Sequence, residues 1–469
     1  MSTPELQHID QVVERTAATA EFWAQSSAQQ RAALLDGLAQ ALETHQPTLV
    51  SLADEETHLG VARLNGEVAR TAFQLRGFAN EVLSGVPFAA VDDPAIIGAP
   101  PAGRPHLKRV SEPLGTVAMY SASNFPFAFS VLGGDTASAL AAGCPVVVKA
   151  HSGHPKLSRA VFDVAQGVLL EQGLPVELLG LVDNASRAGG VHLVEHPSIA
   201  AVAFTGSFQG GKALWQAANQ RPRPIPFFGE LGSINPLIAL TDVLERDGEN
   251  LAKQLAGSIT LGCGQFCTSP GVILLEQGAA SDRFVAHLAQ ALKPLPTHAM
   301  LTPGMRHGFD QGTAHLDQAA AARSLFVPRP DEGDSPAPRL FEIDAQAFID
   351  NASLREEIFG PAAVVIKAAS TVQMIEILNA IGGTLTATLW GFEHATEQTH
   401  YLYRAARRIA GRVLFSGVPT GVAVTHAQQH GGPWPASTQP QTTSVGYAAL
   451  QRFLRPVALQ DAPEWANRT

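Results

Sequence analysis

Residues 117–149 read VAMYSASNFPFAFSVLGGDTASALAAGCPVVVK, and the fold class turns on this stretch. Two short apolar, β-rich runs, Val117–Tyr120 and Val146–Lys149, flank a Gly-Gly pair and a small-residue helical stretch, Gly134–Ala142. The same beat continues downstream with a helical stretch at Leu157–Gln172, a strand at Leu179–Val182, a helix at Gly190–His196 and a strand at Ala201–Thr205. Strands alternating with helices predict a parallel sheet wound on both faces. Upstream, residues 10–85 carry apolar positions at helical spacing, as in Ala32–Leu35–Leu38–Leu42 and Val68–Phe73–Leu75–Phe78. A second strand series begins near Pro236 and includes Val272–Glu276, Ala363–Lys367 and Arg412–Phe415. The Pro-, Asp- and Gly-rich stretch Val327–Pro338 reads as a surface loop. The pattern gives an α/β chain with two stacked α/β domains.

With 469 residues, of which 45% are hydrophobic and only 16% charged, the chain can bury a large core and leave apolar surface for a subunit contact. A net charge of −10 without a Lys/Arg cluster argues against nucleic-acid binding. No run is long and apolar enough to cross a membrane, and the acidic N-terminal stretch lacks the apolar centre of a signal peptide. The three cysteines, Cys144, Cys263 and Cys267, form neither a disulfide framework nor a zinc spacing. A cytoplasmic protein with free thiols and no metal is expected.

Four places carry candidate chemistry. In LGCGQFCTSPG, residues 261–271, Cys267 follows an apolar helical stretch in a Gly-containing turn, where backbone N–H groups can lower a thiol pKa and make it a nucleophile. Cys144 and Cys263 read as packed small hydrophobes. Glu230 stands in the apolar, glycine-rich stretch FFGELGSINP, where poor solvation raises a carboxyl toward the range of a general base. Thr205–Gly206–Ser207 ends a strand, permits a tight turn and caps a helix, an arrangement that offers free N–H groups to a pyrophosphate. Asn124 in SNFP lies just past a strand end, where its amide can donate to a developing oxyanion.

Taken together and in order, SNFP at 123–126, Lys149 in VVVKAHSGHP, FTGS at 204–207, ELGS at 230–233, GQFC at 264–267 and EEIFGP at 356–361 resemble the aldehyde dehydrogenase superfamily across essentially the whole chain. The phrases LTATLWG (385–391), PTGVAVTHAQQHGGPWPAST (419–438), TTSVG (442–446) and RFLRPVALQ (452–460) look like its α-ketoglutaric semialdehyde (2,5-dioxovalerate) dehydrogenase branch, which overlaps with NADP-dependent fatty-aldehyde dehydrogenases. The resemblance implies a Rossmann-type cofactor domain (1–93, 113–228 and 430–448), an α/β catalytic domain (229–429) and a small β oligomerisation arm (94–112 and 449–469), assembled as a homodimer or homotetramer. It implies that Cys267 forms a thioester with a small-molecule aldehyde, that Asn124 and the Cys267 N–H hold the oxyanion, and that Glu230 activates the hydrolytic water.

The resemblance also assigns the cofactor site. Lys149 and Glu357 hold ribose hydroxyls, Phe359 packs by the nicotinamide, and Thr205, Gly206 and Ser207 face the pyrophosphate. Many NAD-preferring relatives carry a glutamate where this chain has Ser152, and a small hydroxyl leaves room for a 2′-phosphate. NADP, beside NAD, is therefore expected to be accepted. Phe125, Phe129, Phe266, Thr268 and His430 align with the substrate tunnel. Aromatic walls suit a slender aldehyde, whereas a keto acid needs a cation that the motifs do not identify. CoA-acylating relatives generally lack the glutamate represented by Glu230. A catalytically silent binding protein has no chemical reason to keep Cys267, Glu230 and Asn124 together.

Overall fold

A computed structural model describes residues 3–467; residues 1–2 and 468–469, at the outer ends of the expected cofactor segment and arm, lie outside them. Numbered along the chain, β1 (Val91–Asp93) and β2 (Leu107–Pro113) precede the alternating region. There follow β3 (Val117–Tyr120), β4 (Val146–Lys149), β5 (Leu179–Val182), β6 (Ala201–Thr205) and β7 (Phe227–Glu230). These five form an all-parallel sheet in the order β5-β4-β3-β6-β7. Strands buried on both faces require an unbroken apolar run, which is what Val117–Tyr120 and Val146–Val148 supply. Small residues let the helix Gly134–Ala142 sink wholly into the core, and Gly143, in the left-handed region at φ 94°, ends it.

The second sheet contains β8 (Pro236–Ala239), β9 (Val272–Glu276), β10 (Ala322–Ser324), β11 (Arg339–Ile343), β12 (Ala362–Ala368), β13 (Thr384–Trp390) and β14 (Ala410–Leu414). Its order is β10-β11-β12-β9-β8-β13-β14, parallel apart from the β10–β11 pair. Packed helices cover its two faces through separate apolar clusters, one around Ile238, Phe341 and Leu389 and the other around Leu237, Ile273 and Phe284. The last strand, β15 (Leu454–Gln460), returns to pair antiparallel with β2, and β1 completes that three-stranded sheet.

Local chemistry accounts for the differences from the sequence pattern. The helix expected from Gly190 begins at Arg187, because Ser186 caps it by accepting from Gly189 N. The strand expected at Arg412–Phe415 runs Ala410–Leu414, directly continuing the helix that ends at Ile409. Strand β7 has no counterpart in the pattern, since its residues FFGE read as a glycine-rich stretch.

Strand order reverses around β3: the chain moves outward to β4 and β5, then crosses to β6 and β7. Ligands gather outside the carboxyl ends of strands at such a switch point. The register places Tyr120 beside Lys149 and Phe204, and Thr205 beside Glu230, so the segments following all four strands emerge along one edge.

Candidate active site

That edge opens into a cavity of about 540 Å³ whose lining includes Asn124, Ser152, Gly206, Glu230, Cys267 and Glu357. Thr205, Ser207 and Phe359 line it too. Lys149 ends β4 half-buried, and burial lowers its pKa. Ser207 accepts from Gly210 N and caps the helix Phe208–Gln220, so the helix starts at the cavity lining. Glu357 lies against Gly232, where a Cβ would stand 2.4 Å from its Oε2. Burial pushes the Glu357 carboxyl up to about 7, although the Ser233 backbone N–H offsets part of the shift. A carboxylate held in a cavity with so little compensation suits paired hydroxyl donors, and a dinucleotide fits the residues present.

The nucleophile, Cys267, lies in the same lining. A 3-10 turn, Leu261–Gly264, follows the helix Thr241–Thr260, and Gly264 at φ 64° allows the chain to pass Gly360. A Cβ on Gly264 would fall 2.1 Å from Gly360 O. Asn235 Nδ2 then donates to Cys267 O at 2.8 Å and Ser269 O at 2.9 Å, which fixes the turn. The Cys267 backbone N–H has no acceptor among the described residues. Asn124 Nδ2 donates to Gln265 O at 3.0 Å, leaving its second N–H free beside the same turn.

Glu230 is buried, as its apolar neighbours require, but its pKa moves opposite to the sequence expectation. Burial alone would raise it; His430 at 3.0 Å from Oε1 and the Ser444 hydroxyl donating to Oε2 at 2.5 Å hold it below the usual value instead. The expectation for Cys267 is also reversed. Burial, followed by the Glu230 charge, drives its thiol well above the ordinary value of 9.0, while Arg412 opposes the shift. Cys267 Sγ stands 3.5 Å from His430 Nε2, and ligand atoms of Cys267, His430 and Glu230 lie within 4.8 Å of one another. Thiolate, imidazole and carboxylate are also a donor set that zinc accepts.

The residues expected to line a substrate tunnel, Phe125, Phe129, Phe266, Thr268 and His430, are absent from the lining of this cavity. Phe125 packs 5.5 Å from Phe129 and 5.2 Å from Phe266, centroid to centroid. Thr268 is buried with an unpartnered hydroxyl. Several site residues escaped the sequence reading. Arg187 lines the same cavity as Ser152 and has no ion-pair partner among the described residues. Ser444 lies in the TTSVG phrase, Arg63 lies over the Phe125 and Phe266 rings, and Arg70 and Arg412 both bond the loop after β14. Arg63, Glu67 and Arg70 follow i, i+4, i+7 spacing, the available signal that three charges share one helix face.

The aldehyde dehydrogenase family profile matches residues 2–434. The chain belongs to the aldehyde dehydrogenase family. Among curated family members, it is 42% identical over 435 residues to α-ketoglutaric semialdehyde dehydrogenase 2 of Azospirillum brasilense, covering 92% of this chain and 83% of that one. It is 39% identical over 461 residues to the α-ketoglutaric semialdehyde dehydrogenase of Acinetobacter baylyi, covering 98% and 87% respectively. Among solved structures, the fold matches apo betaine aldehyde dehydrogenase from Staphylococcus aureus with TM-score 0.80 at 20% identity, over 99% of this chain and 90% of that one. It also matches Bradyrhizobium japonicum proline utilization A with TM-score 0.81 at 23% identity, over 98% of this chain but only 45% of that longer protein. The chain is thus an aldehyde dehydrogenase, and among its described residues no helix is long and apolar enough to cross a membrane.

Proposed function

We propose that this enzyme oxidises 2,5-dioxovalerate (α-ketoglutaric semialdehyde) to 2-oxoglutarate with NADP or NAD, through a thioester on Cys267. The observation that carries the chemistry is the convergence of Cys267, Glu230 and Asn124 in the lining of one cavity. The substrate rests on the two relatives of that name. The cytoplasm is the proposed location. The proposed domain division is the one implied by the resemblance, with the β1-β2-β15 sheet as the arm of a homodimer or homotetramer.

Lys149 and Glu357 would hold the ribose hydroxyls, Thr205, Gly206 and Ser207 the pyrophosphate, and Phe359 the nicotinamide end. Ser152 and Arg187 leave a small hydroxyl and a cation for a 2′-phosphate, which favours acceptance of NADP. When bound, the oxidised nicotinamide takes up the hydride lost by the substrate carbon.

Cys267 rests as a thiol because burial and Glu230 disfavour its anion. As Sγ bonds to the aldehyde carbon, its proton passes to the ionised Glu230 carboxylate, within the cluster that also holds His430. The free Asn124 N–H and the Cys267 backbone N–H receive the carbonyl oxygen as it gains charge. After oxidation the carbon remains attached to sulfur as a thioester. Once Glu230 has released that proton to solvent, its carboxylate takes a proton from water, the hydroxide adds to the thioester carbon, and the acid product leaves as the sulfur recovers that proton from Glu230. His430 and Ser444 hold Glu230 in place and favour the ionised form that each proton acceptance requires.

Replacing Cys267 with Ala tests this reading. Loss of aldehyde-dependent cofactor reduction in a folded variant that still binds cofactor is expected; unchanged turnover would overturn it.

A further inference from the structure

The helix Val61–Ser84 carries Arg63, Glu67 and Arg70 on one face, the first two against the segment after β3. Arg63 donates to Asn124 O and lies over the Phe125 and Phe266 rings, 5.2 and 4.9 Å from their centroids. Glu67 uses one carboxylate oxygen to accept from Phe127 N and Ala128 N. Arg70 reaches further, to the loop after β14, where Nη1 donates to Val422 O at 2.5 Å. Arg412, on β14, grips the same loop from the other sheet, donating to Gly421 O at 2.5 Å and Pro419 O at 2.8 Å.

Two guanidinium groups, one from this helix and one from β14, therefore meet at consecutive peptide carbonyls. Neither makes an ion pair among the described residues, and the Nε–H of each is buried without an acceptor. Glu67 is the carboxylate closest in influence to Arg70; Arg412 has none. Buried donors without acceptors are costly, and paired cations sharing no anion are more so. Both charges also act on the Cys267 thiol. A linear five-carbon acid places about four C–C bonds of about 1.5 Å between its aldehyde carbon and its carboxylate carbon. That span limits how far from the sulfur an anion subsite for such an acid can lie.

We propose that Arg70 and Arg412 form an anion subsite that receives the substrate carboxylate distal to the aldehyde, with Phe125 and Phe266 flanking the chain between. The subsite rests on the acid-aldehyde reading above and names the residues that enforce it. Charge-assisted bonds from two arginines to one carboxylate discriminate sharply against an uncharged aldehyde, which would leave the same donors unpaired.

The test compares 2,5-dioxovalerate with pentanal in the wild type, Arg70→Met, Arg412→Met and the corresponding Lys variants. The Met variants are expected to lose at least about tenfold more in kcat/KM for the keto acid than for pentanal, the difference arising chiefly through KM; Lys should restore part of it. Equal losses on both aldehydes would make the arginines loop or thiolate supports and overturn the subsite. A wild type that prefers pentanal would instead overturn the acid-aldehyde reading itself. If the Met variants do not fold, inhibition of wild-type pentanal oxidation decides. Glutarate should compete at least about tenfold better than its uncharged diamide if the subsite exists, and no better if it does not.

Discussion

Raising the pH from 6 to 8 should tighten NAD binding about tenfold, through Glu357 alone. Its carboxyl is pushed up to about 7 by burial. The two ribose hydroxyls it is proposed to hold are donors, so they require the ionised form. If only that form binds, the apparent Kd scales as one plus the ratio of proton concentration to the acid constant. This factor is about 11 at pH 6 and about 1.1 at pH 8, a ratio of about ten. The sign follows from the direction of the shift: a carboxyl raised into the neutral range is neutral and binds poorly below it, and is charged and binds well above it. His151, pushed down to about 3, stays neutral throughout this window, and burial leaves the Cys267 thiol protonated. NAD rather than NADP is the proper probe, because a 2′-phosphate titrates in the same range. Calorimetric titration at half-unit steps from pH 6 to 8.5 reads the effect, and Glu357→Gln should flatten the curve. A flat wild-type curve, or an unchanged slope in the Gln variant, would refute this account of the cofactor site.

Glu230→Gln should turn over about 10²–10⁴-fold more slowly, because thiol and water both lose their proton acceptor; rapid-mixing absorbance should show that the first equivalent of cofactor reduction is slowed as well, and a burst at the wild-type rate would contradict the role of Glu230 in acylation. Alkylation of Cys267 by iodoacetamide in the cofactor-free enzyme should climb about tenfold per pH unit from 7 to 9 without levelling, since the thiol pKa is held above that range. A plateau below pH 8 in the mass-spectrometric labelling rate would contradict the buried-thiol geometry. Ser152→Glu should weaken NADP at least about tenfold relative to NAD, measured as the ratio of kcat/KM values, by placing a carboxylate where a 2′-phosphate would lie.

Most of the fold was legible where one physical demand dominates the local sequence. The runs at Val117–Tyr120, Val146–Lys149, Leu179–Val182 and Ala201–Thr205 are strands with those same limits, because strands buried on both faces favour a short unbroken apolar run, which Lys149 and Thr205 end where the chain leaves the sheet. Strand β7 was not legible: FFGE is short and contains a glycine, and its strand character comes from pairing with β6. The motifs also pointed to the residues that share the cavity, from Asn124 to Phe359. The charge states were not legible. Poor solvation of Glu230 can be read from its neighbours, but His430 and Ser444, about two hundred residues away in sequence, reverse the consequence. The arginines escaped for the same reason, since Arg70 and Arg412 meet only through the fold.

The central claim is best tested by steady-state oxidation of 2,5-dioxovalerate beside medium- and long-chain aliphatic aldehydes, each with NAD and NADP, with the product identified. The account predicts 2-oxoglutarate as product and a kcat/KM for the keto acid well above that of every aliphatic aldehyde. A preference for the aliphatic series would contradict it, and would mean that the aromatic wall of Phe125, Phe129 and Phe266 sets the specificity.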